Sequence, residues 1–179
     1  MSKTFLIGDT HFGHGNMLKF TVASTGELLR PGFKDIEEHD EFIIEMWNNT
    51  VKPKDKVYHL GDLGFKSWSK LSKVLERLNG TKVLIKGNHD NFKLSQYAQH
   101  FKDVRACHTL DNFILTHIPV HPESVKRWKA NIHGHLHAQK VWVNVESIVM
   151  VDPRYINVSC EQINYIPKDF EEIRSTWTI

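Results

Sequence analysis

Short apolar stretches recur along this 179-residue chain, and each stops at a polar group able to do chemistry. Thr4-Phe5-Leu6-Ile7-Gly8 runs into Asp9-Thr10-His11, and Lys56-Val57-Tyr58-His59-Leu60-Gly61 runs into Asp62. Lys82-Val83-Leu84-Ile85-Lys86-Gly87 leads to Asn88-His89-Asp90, and Asn112-Phe113-Ile114-Leu115-Thr116 leads to His117. Ala130-Asn131-Ile132-His133-Gly134 ends in His135-Leu136-His137. Apolar runs of this length, with β-branched members and cut by glycine or a polar residue, read as buried strands. Five strand ends thus deliver one ligand set, as suits an open α/β sheet, where ligands collect beyond the carboxyl ends of the strands.

Between the strands the period changes from two to that of a helix. Asp35 and Glu38 resemble a capping box, and the stripe Ile36, Phe42, Ile43, Met46, Trp47 predicts a helix over 36–48. Trp68, Leu71, Val74, Leu75 and Leu78 predict a second helix, with Ser67 as its cap and Asn79-Gly80 as its end. A shorter helix is expected over 94–100 and a strand over 104–110, which Leu110-Asp111-Asn112-Phe113 turns back as a hairpin. Residues 122–128 suit a short helix with Pro at its first turn. Val141, Val143 and Val145 alternate with Trp142, Asn144 and Glu146, the signature of a strand with one buried face. A strand over 154–159 and a closing helix over 169–175 complete the order. It is βαβ-like early and more antiparallel late, which fits two packed sheets flanked by helices. Residues 17–33 carry turn signals, Ser24-Thr25-Gly26 and Arg30-Pro31-Gly32, and are expected to loop over the site.

Length predicts one domain over 1–179. A charged fraction of 25% and a hydrophobic fraction of 40% are ordinary for a soluble protein. No apolar run reaches the ~20 residues of a membrane helix, and the apolar start is too short for a signal peptide, so a cytoplasmic location is expected and a membrane partner is not. Cys107 and Cys160 lack metal or redox spacing and read as buried apolar residues. The net charge of +2 is spread along the chain, which argues against strong nonspecific duplex binding and leaves room for a nucleotide or short strand. Twelve histidines are the unusual figure, and they lean towards metal chemistry.

Asp9 and His11 are one residue apart, as are His135 and His137. In an extended backbone such pairs leave on the same side and reach one pocket holding two cations. Asp62, with two oxygens, is the best candidate to bridge two ions, and Asn88 offers a neutral oxygen where more negative charge would be excessive.

In this order and spacing, Gly8-Asp9-Thr10-His11, Gly61-Asp62, Gly87-Asn88-His89-Asp90, His117 and Gly134-His135-Leu136-His137 resemble the calcineurin-like metallophosphoesterase family. Asp9-Thr10-His11-Phe12-Gly13-His14, Trp47-Asn48 and Val57-Tyr58-His59-Leu60-Gly61-Asp62 are similar to its small single-domain members in bacteria and phages. The resemblance implies a four-layer αββα sandwich of two mixed sheets flanked by helices. It also implies two divalent ions: Asp9, His11 and His137 at the first, Asn88, His117 and His135 at the second, and Asp62 bridging. His89 would face the scissile phosphate. Many family members carry an Asp three residues after the Gly-Asp aspartate to orient this histidine, and the phosphoprotein phosphatases add Arg-Gly after the motif. Here Phe65 stands in the place of that Asp, which disfavours a phosphoprotein phosphatase and leaves Asp90 or a backbone carbonyl to hold His89, or His89 to act mainly as a hydrogen-bond donor.

The expected function is hydrolysis of a small or nucleotide-type phosphodiester by metal-activated hydroxide, with His89 and Asp62 as catalytic residues. Oxygen and imidazole donors without thiolate fit Mn, Fe, Ni or Zn, with Mn favoured. Phosphomonoesterase, nuclease and non-catalytic binding module are the alternatives. His14 and Asn16 are candidate substrate contacts, while Asp90 and His133 are candidates to support the ligands from behind. His59 is expected in the core, His39, His100, His108 and His121 in packing or at the surface, and Arg30 and Lys66 as solvated charges or phosphate contacts. Residues 17–35 and 118–129 are expected to wall the pocket.

Overall fold

The alternation of strand and helix in the first hundred residues builds one parallel sheet. In the computed structural model, which describes residues 2–65 and 67–177, the order is β1 (Thr4–Ile7), α1 (Ile36–Thr50), β2 (Lys56–His59), α2 (Trp68–Arg77), β3 (Thr81–Ile85), α3 (Leu94–Tyr97) and β4 (Asp103–Arg105). Each crossover carries a helix, as parallel pairing requires. Asp35 caps α1, its Oδ1 accepting the Glu38 amide at 2.8 Å, and Glu38 Oε2 reaches back to the Lys34 amide at 2.8 Å. At α2 the expectation fails in detail: Ser67 is the N-cap residue, but its hydroxyl pairs with Ser69 Oγ at 3.2 Å and caps nothing.

The chain continues through β5 (Cys107–Leu110), β6 (Phe113–Thr116), α4 (Pro122–Val125), β7 (Asn131–His133), β8 (Trp142–Val145), β9 (Ile148–Val151), β10 (Tyr155–Asn157), β11 (Lys168–Asp169) and α5 (Phe170–Thr176). One mixed sheet has the order β11-β1-β2-β3-β4, the other β10-β7-β6-β5, and β8-β9 form a separate ribbon. The strand expected over 104–110 is two strands, β4 pairing with β3 and β5 with β6, because the chain passes from one sheet to the other at Ala106. The late part is also less antiparallel than its pattern implies, since β6, β7 and β10 run parallel.

Residues that alternate along β1 to β3 serve two cores. Phe5, Ile7, Val57 and Leu84 pack with Ile43 and Trp47 of α1 and Leu71 and Leu75 of α2. Leu6, Tyr58, Val83 and Ile85 pack with Phe113, Leu115 and Ile132 of the second sheet and with Phe170 and Ile173 of α5. Burial on both faces explains why these strands are nearly continuous apolar runs. Residues 118–130 contain α4 and are tied to the second sheet by Val120, whose amide donates to Asn131 Oδ1 and whose carbonyl accepts from the Tyr155 hydroxyl. The β8–β9 ribbon keeps only part of the face its alternation predicts: Val141 and Val143 are half-buried but Val145 is 49% exposed, and among the described residues the ribbon pairs only with itself.

Candidate metal centre

Asp9, His11, Asp62, His135 and His137 all have positive φ, at 58°, 49°, 57°, 67° and 50°. Such values are uncommon outside glycine, cost about 1–3 kcal/mol each, and gather where a site demands them. The same-side argument from extended backbone is therefore corrected: convergence comes from left-handed turns at the strand ends. Those turns are laced together by main-chain bonds, Asp9 N to Gly61 O at 2.9 Å, His11 N to Asp62 O at 3.0 Å and Gly134 N to His117 O at 3.0 Å. Two motif glycines are needed for close approach. A Cβ on Gly87 would lie 2.2 Å from Asp62 Oδ1, and one on Gly134 would lie 2.4 Å from Asp9 Oδ2. Each carboxylate is seated against a missing side chain.

The ligand-type atoms form two groups, Asp9 with His11 and His137, and Asp62 with His117 and His135, each gathered within 4.8 Å. In the first, Asp9 accepts the His135 amide at 2.9 and 3.1 Å, and burial lifts its carboxyl pKa to about 6. Burial, then the nearby Arg30 charge, pushes His11 down to about 2, so its ring is neutral. Both its nitrogens are buried without a hydrogen-bond partner, a costly state that a bound cation would relieve. In the second group, His117 Nδ1 donates to Leu60 O at 2.7 Å, which turns Nε2 towards Asn88 Oδ1 at 2.9 Å, His135 Nδ1 at 3.2 Å and Asp62 Oδ2 at 3.4 Å. When the ring is neutral, four lone-pair atoms then face one another, the donor chemistry of a cation site. Burial pushes the Asp62 carboxyl up, but hydrogen bonding and attraction from His117 outweigh it and leave the pKa at about 2. Asp62 Oδ2 is also 3.7 Å from His11 Nε2, so this one oxygen stands between the groups.

The rim is built differently. Asn88 and His89 are exposed. The His89 amide donates to Asp62 Oδ1 at 2.9 Å, and its ring centroid lies 4.8 Å from that of Phe65. Asp90 does not hold the His89 ring. Its carboxylate accepts the amides of Asp62, Leu63 and Gly87 at 2.9, 3.0 and 2.8 Å, and so clamps two ligand turns from beneath. Phe65 stacks on His14 at 3.9 Å and lies 5.5 Å from His11, which places His14 beside the first group. Asn16 is exposed in the 3-10 turn Gly15–Leu18 and, among the described residues, has no side-chain hydrogen bond to a ligand. Lys66 lies outside the described residues.

His59 is a core residue, as expected: its Nδ1 accepts the Gly61 amide at 3.2 Å and its Nε2 meets Thr10 Oγ1 at 3.0 Å. His133 is buried, with Nδ1 donating to Gly134 O at 2.7 Å. Arg30 is neither solvated nor open to phosphate. It is 1% exposed, with Nε donating to Glu161 Oε1 at 2.7 Å and its guanidinium bonded to Asp9 O and Thr10 O. Glu161 escapes the motif reading altogether, although Oε1 also accepts from His137 Nδ1 at 3.0 Å. A signal existed: Tyr155-Ile156-Asn157-Val158-Ser159 running into Cys160-Glu161 repeats the rule of an apolar strand followed by a ligand-type residue.

Among the described residues no helix is long and apolar enough to cross a membrane. The chain is 36% identical over 177 residues to an uncharacterised protein of Methanocaldococcus jannaschii, covering 97% of this chain and 90% of that one. It is 32% identical over 93 residues to the Gene 66 protein of Mycobacterium phage L5, covering 50% and 41%. A protein of unknown function from Aquifex aeolicus has a similar fold, with a TM-score of 0.66 at 22% identity, covering 98% of this chain and 99% of that one. Residues 2–156 match the model of the calcineurin-like phosphoesterases. With two oxygen-and-imidazole ligand groups at the strand ends of paired mixed sheets, the chain belongs to the calcineurin-like phosphoesterase family of metal-dependent phosphoesterases.

Proposed function

We propose that this chain is a dimetal phosphodiesterase acting on a small or nucleotide-type ester. The observation that carries the reading is Asp62 Oδ2, 3.7 Å from His11 Nε2 and 3.4 Å from His117 Nε2, at the junction of two ligand groups. Asp9, His11 and His137 would hold one divalent ion, Asn88, His117 and His135 the other, and Asp62 both. Bound there, the ions would lower the pKa of a water nucleophile and polarise a phosphoryl oxygen. Mn, Fe, Ni and Zn suit the donors, with Mn favoured.

The chain's own residues supply the rest. His89, exposed at the rim with its backbone fixed on Asp62 Oδ1, donates a proton to the leaving oxygen. Phe65 packs its ring against His89 and His14, which limits their rotamers. A cavity of about 320 Å³ adjoins the second group, lined by Lys86, Gly87, Asn88, Ala106, Thr116, His117 and Ile118, a volume at the small end for small-molecule sites. A larger cavity of about 850 Å³, between Lys3, Asp55, Ile163 and Asp169, contains none of the ligand residues. The low net charge of +2 speaks against a nuclease of long duplexes.

The test is hydrolysis of bis-p-nitrophenyl phosphate against p-nitrophenyl phosphate after chelation and return of Mn²⁺, with Asp62→Asn and His89→Ala in parallel. Diester cleavage that requires metal and Asp62 supports the reading. Preference for the monoester moves the assignment to phosphatase. Metal binding without cleavage of either ester under Mn, Fe, Ni or Zn favours a binding module.

A further inference from the structure

Arg30 and Glu161 form a buried ion pair that the proposed chemistry does not use. Their side chains are 0% and 5% exposed. Taking two charges out of water costs several kcal/mol per ion, so a buried pair is poor evidence of stabilisation for its own sake. Its bonds show where it acts. Arg30 donates to the carbonyls of Asp9 and Thr10, which lead into the His11 turn, and through Nε to Glu161 Oε1. Glu161 Oε1 in turn accepts from Nδ1 of His137. The same turn of chain grips the His137 backbone: Gln162 Nε2 and Asn157 Nδ2 each donate to His137 O at 3.0 Å. Asp9 and His137 are thereby tied directly to one pair of charges, and His11 through the carbonyl of its neighbour Thr10. The second group is braced differently, His117 by a main-chain carbonyl and Asp62 by the amides that Asp90 clamps.

Glu161 comes from beyond residues 2–156, the span that matches the family. Arg30 comes from the irregular excursion between β1 and α1.

We propose that Glu161, locked in place by Arg30, is the positioning carboxylate of the first metal site: it fixes the His137 ring with Nδ1 as donor and presents Nε2 as the ligand beside Asp9 and His11. Metal-bound histidines commonly donate their other ring nitrogen to such an acceptor, and losing the acceptor costs 10–100-fold in metal affinity. The inference rests on the metal reading above. Arg30 has a second consequence, because it ties the 17–35 excursion to the turn that carries Asp9 and His11.

The experiment is Mn²⁺ titration of the full chelated chain by calorimetry, with thermal melts with and without Mn²⁺. The variants are Glu161→Ala, Glu161→Gln, the double change Arg30→Met with Glu161→Met, and Glu161→Ala combined with His137→Ala. The double methionine change removes the pair without stranding a buried charge and keeps the test available if Glu161→Ala fails to fold. Wild type is expected to bind two ions. Glu161→Ala and the double methionine variant are expected to weaken one ion by about 10–100-fold while the other is unchanged, and to shrink the metal-induced rise in Tm. Glu161→Gln, which keeps an acceptor oxygen, recovers part of the loss. In the His137→Ala background, removing Glu161 costs no further affinity, the non-additivity expected of a residue acting through another.

A merely structural role predicts lower Tm in both states with an unchanged metal-induced rise, and additive losses. Two ions bound as tightly by a folded variant as by wild type overturn the inference and leave the metal reading intact. A wild-type chain that binds no divalent ion removes both.

Discussion

The floor and the rim of the site follow opposite rules. On the floor, Asp9, His11, Asp62 and His117 are buried, three of them in left-handed turns and seated on backbone bonds and glycine gaps, so their positions are fixed before any ligand arrives. On the rim, Asn88 and His89 are exposed, and the rings of His14 and Phe65 stack on each other. The difference teaches that the candidate ligands of the floor are preset by the fold, whereas the proposed proton transfer and substrate choice would rest on a few side chains that can be changed without dismantling it.

The sharpest way to break that division is Asp62→Asn. It removes charge from the oxygen shared by both groups, and diester turnover is expected to fall by more than the ~10⁴ that loss of a general acid explains. Steady-state assays at saturating Mn²⁺ check this, and near-normal turnover would break the assignment of Asp62 to the floor. Asp90→Ala attacks the floor from beneath by orphaning the amides of Asp62, Leu63 and Gly87. Each buried donor left unpaired costs about 1–3 kcal/mol, so urea denaturation is expected to show one of the largest single-site losses in the chain. At the rim, His89→Ala is expected to lower kcat by ~10² to ~10⁴ while Mn²⁺ stoichiometry stays at the wild-type value. A lost ion would move His89 to the floor.

The floor also predicts a pH dependence for the metal-free chain. Burial lowers His11 to about 2, His59 to about 3 and His133 to about 4, against 6.5 for an ordinary imidazole. The unfolded chain takes up these protons below pH 6.5 and the folded chain does not, so their contribution is present above pH 6.5 and is lost as the pH falls towards 4. Each proton is worth about 1.4 kcal/mol per pH unit. Asp9, raised to about 6 by burial, works the other way below pH 6 and offsets one of them. Against burial, the hydrogen bonds and charges of Asp62 and Glu161 raise His117 and His137 above 6.5, so they work the other way near pH 7 and level off below pH 6.5 as the unfolded imidazoles also charge. Urea titrations in chelator between pH 6 and 5 should therefore show falling stability, with a shallower slope in His59→Gln. The smallest effect belongs to Phe65→Ala. An aromatic contact is worth about 0.5–1.5 kcal/mol, so turnover should drop by less than about tenfold with metal affinity intact.

The strand ends and most of the candidate ligands gathered there were legible because both follow from local pattern: apolar runs that stop at glycine or a polar residue, then Asp, Asn or His. The backbone that makes them converge was not, since nothing local distinguishes Asp9 in an extended strand from Asp9 at φ 58°. The partition of 104–110 between two sheets was hidden for a similar reason, as one apolar and polar rhythm serves both β4 and β5. Arg30 and Glu161 were invisible as a pair because they are 131 positions apart and only the fold brings them within 2.7 Å. Phe65 was visible as a departure, but that it would pack against His89 and His14 required the geometry of the turn after Asp62.

The most direct test of the dimetal account is anomalous diffraction from crystals of the chain grown with Mn²⁺. The account predicts two peaks about 3.5–4 Å apart, one among Asp9, His11 and His137, the other among Asn88, His117 and His135, with Asp62 between them. A single peak, or manganese bound away from these side chains, would contradict it.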